Sequence, residues 1–117
     1  MEMGVVHKLK LKIHKRDGFR CHYCGKKFIY SELHVDHMYP RSKDRRDKIE
    51  NLVTACIKCN TTKSDSTPEE FLLRSYRKHK ELQEKRDKSR TQLQYDKLSI
   101  QIEYFRNIIE NLSSEPE

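Results

Sequence analysis

Four cysteines are the residues in this sequence whose types and spacing most clearly allow chemistry. They form two C-x-x-C pairs, Cys21 with Cys24 and Cys56 with Cys59. Zinc binds four thiolates in a closed tetrahedron that leaves no position for a substrate, so we expect a structural Zn²⁺. A redox dithiol and free buried cysteines are the alternatives, and the presence of two matching pairs favours zinc.

The segment between the two pairs is too long for a simple zinc ribbon. It holds 31 residues, so the zinc would clamp an inserted structural unit rather than a bare hairpin. A disulfide framework would need a secreted protein, but the lysine-rich N-terminal stretch has no apolar run of signal-peptide length. No stretch approaches a membrane span either. We therefore expect a reducing, cytoplasmic location and no membrane partner.

Polar residues able to bind a metal or transfer a proton lie within this unit and just after it. They are Asp36-His37, Asn51, and Asn60-x-x-Lys63, which starts directly after Cys59. Their order and spacing resemble the HNH endonucleases in their zinc-knuckle form, whose motif threads a ββα-metal finger through two C-x-x-C pairs. The resemblance covers roughly residues 14–65. It implies a metal-dependent enzyme that hydrolyses phosphodiester bonds in DNA.

The resemblance also implies a role for each of these residues. His37 would be the general base that activates water, a task that suits an imidazole near neutral pH. Asp36 would bind one catalytic Mg²⁺ or Mn²⁺, with Asn60 as a further ligand through its amide oxygen. Asn51 would bond across the finger and hold the long loop and the base. Neighbours on a strand face opposite ways. The resemblance implies that Asp36 and His37 lie where the strand runs into the loop, and Pro40 just downstream fits this placement.

Basic residues near these positions are expected to contact DNA. Lys63, one helical turn after Asn60, would neutralise the scissile phosphate, and the alternative is a solvated helix lysine. Contacts to backbone phosphates are predicted for four residues of the loop after Asp36-His37, namely Arg41, Lys43, Arg45 and Arg46. His34 shares the strand face of Asp36 but is expected at the surface, and His22 is expected to be exposed.

The distribution of charge supports a nucleic-acid partner. The chain has a formal net charge of +7. Residues 1–63 hold 15 Lys and Arg against 7 Asp and Glu, whereas residues 64–117 hold 10 against 11. A basic surface on the half with the cysteines predicts salt-dependent binding to DNA, which we expect to be double-stranded. Since only 34% of residues are hydrophobic, the core should be thin without a metal.

The elements expected within the finger are short. Residues 5–17 alternate as a strand would, but Val6, Leu9 and Ile13 also stand at helical spacing, and we favour a helix. Residues 28–30 and 33–37 are predicted to be two strands around a tight turn. A further strand is predicted at 51–55 and a short helix at 56–63.

The tail is predicted to be helical. Thr67 as N-cap, Pro68 at the first helical position and Glu70 form a capping box. No proline or glycine occurs from there to Leu112, so one long helix or two collinear helices are expected. Residues 74–90 hold 8 basic and 3 acidic side chains, which favours a position along DNA rather than in a core.

An apolar stripe runs along the last part of the tail. It consists of Tyr95, Leu98, Ile102, Phe105, Ile109 and Leu112. Spacings of three and four are typical of a coiled-coil seam. The stripe either joins two chains into a homodimer through the C-terminal helix or folds back on the finger or on Val5, Leu9 and Ile13.

Together these features predict an α+β protein. A small ββα-metal nuclease domain clamped by a Cys₄ zinc site would occupy residues 1–66, and a helical C-terminal extension residues 67–117. The function implied is that of an HNH endonuclease, with nicking or double-strand cleavage left open. The alternatives are a non-catalytic zinc module that binds nucleic acid, and a nuclease subunit of a larger phage or mobile-element assembly.

Overall fold

The computed structural model describes residues 3–40 and 48–114. Its helices and strands are, in chain order, α1 (Met3–Arg16), β1 (Leu33–His37), β2 (Leu52–Cys56), α2 (Ile57–Lys63), α3 (Pro68–Asp87) and α4 (Gln92–Ser113). Short 3-10 turns at Tyr30–Glu32 and Ile49–Asn51 lead into the two strands. The predicted α+β class, with a ββα finger, a four-cysteine cluster and a helical tail, is confirmed. No helix in the described ranges is both long and apolar enough to cross a membrane.

The sheet consists of β1 and β2, which pair antiparallel from Leu33↔Cys56 to His37↔Leu52. The strand predicted at residues 28–30 is wrong. The amide of Phe28 bonds to the carbonyl of Phe19 at 2.9 Å, next to an isolated bridge between Arg20 and Lys27. A strand needs a partner along its length, and β1 takes β2 as its partner rather than residues 28–30.

Helix α1 covers one face of this sheet. Its predicted helical form is confirmed, and Ile13 and His14 are fully buried. The Nδ1 atom of His14 lies 2.7 Å from the hydroxyl of Thr54 in β2. The neighbouring Val53 belongs to the core around the cysteines. Because neighbours on a strand point to opposite faces, α1 lies on the face of the sheet opposite that core.

The tail forms a helical hairpin. Helix α3 begins with the predicted capping box between Thr67 and Glu70. The two helices then run antiparallel, because the Tyr76 hydroxyl lies 3.2 Å from that of Ser113 and Arg86 bonds to Ser99 at 3.2 Å. The prediction of one long helix or two collinear ones is therefore wrong.

A second N-cap explains the break between α3 and α4. The hydroxyl of Thr91 accepts a hydrogen bond from the amide of Gln94, and the Gln94 side chain accepts one from the amide of Arg90. A threonine followed three residues later by glutamine is a helix start even without proline or glycine. Folding back also lets both helices bury an apolar face, which a single exposed helix could not do.

Both helices of the hairpin contribute to the core around the cysteines. This core also contains Tyr23, Val53 and Ala55 from the finger, together with Phe71 of α3 and Ile108 of α4. Two residues of the predicted stripe, Phe105 and Leu112, pack against it. This part of the stripe thus folds back on the finger within the chain, and the homodimer stays a prediction.

Candidate active site and cysteine cluster

The four cysteines meet in one buried cluster. Their Sγ atoms all lie within 4.8 Å of one another, and all four side chains are free thiols. Two sulfurs bound to one tetrahedral zinc lie about 3.8 Å apart, so the cluster fits such an ion. Hydrogen bonds from the other three cysteines, Cys24 first, lower the pKa of the Cys21 thiol. The four sulfurs are therefore placed to bind one cation together.

Backbone amides turn toward two of these sulfurs. The amides of Tyr23 and Cys24 lie 3.4 and 3.5 Å from Cys21 Sγ. The amide of Cys59 lies 3.4 Å from Cys56 Sγ, at the start of α2. Gly25 completes the first turn with a φ of +78°, which glycine adopts without strain. The pairs are thus shaped to hold negative charge.

Two side chains of helix α4 form hydrogen bonds to the cysteine cluster and to the turn that contains Cys21 and Cys24. The side-chain amide of Asn111 donates to the carbonyls of His22 and Tyr23 at 2.6 and 3.0 Å. The Tyr104 hydroxyl donates to Cys59 Sγ at 3.2 Å. Burial, followed by this bond to Cys59, raises the pKa of Tyr104, so it remains a donor. The tail therefore supports the cluster directly.

Asp36 lies at the centre of a second polar group. Its Oδ2 atom accepts a hydrogen bond from the Tyr23 hydroxyl at 2.6 Å and forms an ion pair with Lys63 Nζ at 2.9 Å. Only 13% of the Asp36 side chain and 1% of the Lys63 side chain is exposed. Burial, and then the charge of Asp36, raise the pKa of Tyr23. The carboxylate is therefore held by one buried hydroxyl donor and one buried ammonium group.

Lys63 connects the end of α2 with the end of β1. Its Nζ atom also donates to the carbonyl of His37 at 3.1 Å. Because the side chain is buried, the alternative of a solvated helix lysine is excluded. The last turn of α2 is held in turn by Arg74 of α3, which donates to the Lys63 carbonyl at 3.2 Å and to the Ser66 hydroxyl at 2.6 Å.

Asn51 fastens the chain that follows β1. Its side chain accepts from the amide of Tyr39 at 2.8 Å and donates to the carbonyl of Tyr39 at 2.9 Å. The Asn51 carbonyl also accepts from the amide of Met38 at 2.7 Å. These bonds fix the backbone immediately after His37, the last residue of β1.

The sheet places His37 on one face and Asp36 and His34, with Asn60 beside it, on the other. Asp36 pairs with Val53 and His37 with Leu52, so their side chains leave the strand on opposite faces. The side chain of Asn60 lies 3.3 Å from Nδ1 of the exposed His34. The structure thus brings Asp36 together with Lys63, and Asn60 with His34. Arg41, Lys43, Arg45 and Arg46 lie outside the described residues.

Residues 21–66 match the model of the HNH endonuclease family. We refer to residues 21–66 as the HNH segment. The match spans both cysteine pairs and all the residues from Asp36 to Lys63 on which the resemblance was based. The predicted family is thereby confirmed for this part of the chain.

Two similar proteins are much longer than this chain. The CRISPR-associated endonuclease Cas9 of Corynebacterium diphtheriae is 34% identical over 53 residues, which are 44% of this chain and 5% of the relative. The crystal structure of the type II-C Cas9 enzyme from Actinomyces naeslundii is 21% identical, with a TM-score of 0.45 over 93% of this chain and 11% of that one. The chain thus spans a small part of either protein.

The HNH segment depends on three residues that the sequence analysis did not single out. They are Tyr23, which binds Asp36, Arg74, which holds the end of α2, and Tyr104, which binds Cys59. Tyr23 stands between two cysteines of the cluster, a position at which the sequence already suggests burial. Arg74 and Tyr104 lie beyond the HNH segment, and no local pattern marks them.

Proposed function

We propose that this chain is a metal-dependent DNA endonuclease whose active site contains Asp36, His37, Asn51, Asn60 and Lys63. The observation that carries the proposal is the partly buried carboxylate of Asp36, held by Tyr23 and Lys63 within the HNH segment. A buried carboxylate costs free energy unless it is paired, and such groups concentrate at functional sites. The basic charge of residues 1–63 supports DNA as the substrate.

The donor atoms at this site suit a hard divalent cation. Asp36 offers a carboxylate oxygen and Asn60 an amide oxygen, the ligands that Mg²⁺ and Mn²⁺ prefer. A bound cation would stabilise the charge that develops on the phosphorus oxygens and the leaving oxygen. The ammonium group of Lys63 lies 2.9 Å from the Asp36 carboxylate and forms an ion pair with it.

The other residues act on water and on the substrate. His37 accepts the proton of the attacking water at a ring nitrogen, which is the role of a general base near neutral pH. Asn51 keeps His37 in place through its bonds to the backbone of Tyr39. Lys63 acts through Asp36, because its buried ammonium group is paired with that carboxylate. The products expected from the family resemblance carry 5′-phosphate and 3′-hydroxyl ends.

We further propose that the cysteine cluster binds one structural Zn²⁺. All four sulfurs are buried, and four thiolates fill the coordination sphere of zinc. This ion would hold the two halves of the HNH segment together, since Cys24 and Cys56 are separated by the whole insertion.

The first test is cleavage of supercoiled plasmid by the purified protein with Mg²⁺ or Mn²⁺. We expect cleavage that a chelator of the added metal stops, and that His37→Ala lowers at least 100-fold, because general-base catalysis contributes about 10²–10⁴-fold. DNA affinity should change little, since the base acts in the transition state. His7→Ala, an exposed histidine on α1, is the matched control and should cleave like the parent.

The appearance of nicked or linear plasmid also separates two modes of action. One centre cuts one strand, so a monomer would give nicked circles, whereas a homodimer through α4 would bring a second centre to the other strand. Sedimentation equilibrium of the full chain measures this association directly. DNA binding without cleavage under any metal would favour the non-catalytic zinc module instead.

A further inference from the structure

Tyr23 connects the cysteine cluster to the candidate active site. It stands between Cys21 and Cys24, its side chain is fully buried, and its hydroxyl lies 2.6 Å from Asp36 Oδ2. The ring packs edge-on against Phe71 of α3, with 5.6 Å between centroids. Because Tyr23 reaches from the cysteine cluster to Asp36, the position of the Asp36 carboxylate can depend on the fold of the cysteine cluster.

The backbone of Tyr23 is held on both sides. Its amide points at Cys21 Sγ at 3.4 Å, and its carbonyl accepts the side-chain amide of Asn111 at 3.0 Å. The ring cannot turn freely because it is enclosed by the core. The position of the hydroxyl is therefore set by the fold of the zinc turn, residues 21–25, and by α4.

Tyr23 and Lys63 contact the same oxygen atom of Asp36. The Tyr23 hydroxyl donates a hydrogen bond to Oδ2 and the Lys63 ammonium group forms an ion pair with it, while within the described residues Oδ1 has no hydrogen-bond donor. A hydrogen bond and an ion pair on one oxygen fix the plane of a carboxylate and leave its other oxygen for a cation. Lys63 brings a positive charge that repels such a cation, whereas the neutral hydroxyl of Tyr23 orients Asp36 without that repulsion.

We propose that Tyr23 is a positioning residue of the candidate active site, through which the zinc turn orients Asp36 for a catalytic divalent cation. The inference rests on the proposed function, because it takes Asp36 as the ligand of that cation. Tyr23 itself touches neither substrate nor metal. Its contribution is the orientation of the carboxylate, so its loss should weaken binding of the cation more than it weakens binding of DNA.

The test compares Tyr23→Phe with the parent in the full chain loaded with zinc. The change removes one oxygen atom and keeps the ring in the core. We expect Mn²⁺ affinity, measured by electron paramagnetic resonance, to fall about 10- to 100-fold, as is usual when a group that orients a metal ligand is removed. The rate at saturating DNA should fall at low Mn²⁺ and recover as Mn²⁺ is raised, with the KM for DNA unchanged.

Tyr76→Phe is the matched control, since it removes an exposed tyrosine hydroxyl that bonds to Ser113 within the helical hairpin. It should bind Mn²⁺ and cleave like the parent. Zinc content and thermal unfolding are measured on all three proteins. A folded, zinc-loaded Tyr23→Phe protein with the Mn²⁺ affinity of the parent would overturn the positioning role while leaving the proposed endonuclease intact.

The unaltered protein provides a second measurement that does not depend on the folding of the variant. A tyrosine hydroxyl buried against a carboxylate exchanges its proton slowly with water, so the Tyr23 hydroxyl proton should be visible by NMR and lie close to the ring protons of Tyr23. Its absence would overturn the proposal. If the parent itself binds no Mn²⁺ and cleaves no DNA, both the proposed metal site and the positioning role of Tyr23 are wrong. If the parent binds Mn²⁺ and the Tyr23→Phe protein binds it equally well, only the positioning role is wrong.

Discussion

Lys63 is a charged side chain that the fold buries almost completely. Its ion pair with Asp36 has the same 2.9 Å separation as the surface pair between Lys78 and Glu81. The two pairs differ in exposure, which is 1% and 13% for the buried pair against 44% and 53% for the surface pair. Water screens the surface pair and not the buried one, so equal distances correspond to unequal free energies.

This difference predicts unequal costs for the same substitution. Lys63→Met should lower the free energy of unfolding by about 3 kcal/mol, because Asp36 is left buried without its counter-charge. Lys78→Met should change it by less than about 1 kcal/mol. Urea unfolding of the zinc-loaded proteins measures both. Equal, small effects would mean that the Asp36–Lys63 pair is solvated in solution. Adding Asp36→Asn to Lys63→Met should recover part of the stability.

At the scale of elements, α4 is part of the finger's core. Ile108 is fully buried among the cysteines, whereas Ile100, two turns earlier on the same helix, is 69% exposed. The side chains of Tyr104 and Asn111 add bonds from this helix to the cysteine cluster. The finger therefore relies on a helix that lies well beyond the end of the HNH segment in the chain.

Two isoleucines on α4 test this dependence. Ile108→Ala should lower the free energy of unfolding by roughly 2–5 kcal/mol, the usual cost of emptying a buried site, and should speed the release of zinc to a chelator. Ile100→Ala should stay within about 0.5 kcal/mol of the parent, because it removes an exposed side chain. Denaturant unfolding and a colorimetric zinc assay give the two readouts. If the Ile108→Ala protein is as stable as the parent, the stability of the finger does not depend on α4.

On the scale of the whole molecule, charge is divided between a basic half and a nearly neutral one. Residues 1–63 include the loop with Arg41, Lys43, Arg45 and Arg46, while many basic side chains of α3 are exposed as well. Both groups of basic residues are candidates for contact with the phosphate backbone. The salt dependence of binding measures how many phosphates each surface neutralises, because each neutralised phosphate releases counterions.

We expect DNA binding by His37→Ala protein, which should not cut its ligand, to weaken steeply as salt is raised. Replacing the four basic loop residues by glutamine should reduce the slope of log affinity against log salt by roughly 0.9 for each phosphate that the loop no longer neutralises. A matched variant has glutamine at four exposed basic residues in and just after α3, namely Arg77, Lys80, Lys85 and Lys88. Fluorescence anisotropy measures the DNA affinity of both variants in parallel. An unchanged slope in the loop variant would exclude the loop as the phosphate-binding surface.

The sequence alone determined the parts of this protein that depend on local chemistry. The cysteine pairs and the spacing from Asp36 to Lys63 predicted the four-thiol cluster and the HNH family. The capping box at Thr67 predicted the start of α3, since a helix N-terminus is set by residues within one turn. The same rule applied to Thr91 and Gln94 would have predicted the break between α3 and α4.

Only the tertiary structure decided which distant residues meet. Tyr23 and Lys63 converge on one oxygen of Asp36 from opposite directions along the chain, and Tyr104 reaches Cys59 across 45 residues. The apolar stripe on α4 had equally good partners in a second chain, in α1 or in the finger, because periodicity records that a face is apolar and not what covers it. Burial, which makes the loss of one partner of the Asp36–Lys63 pair costly, arises only when the two clusters and the hairpin pack together.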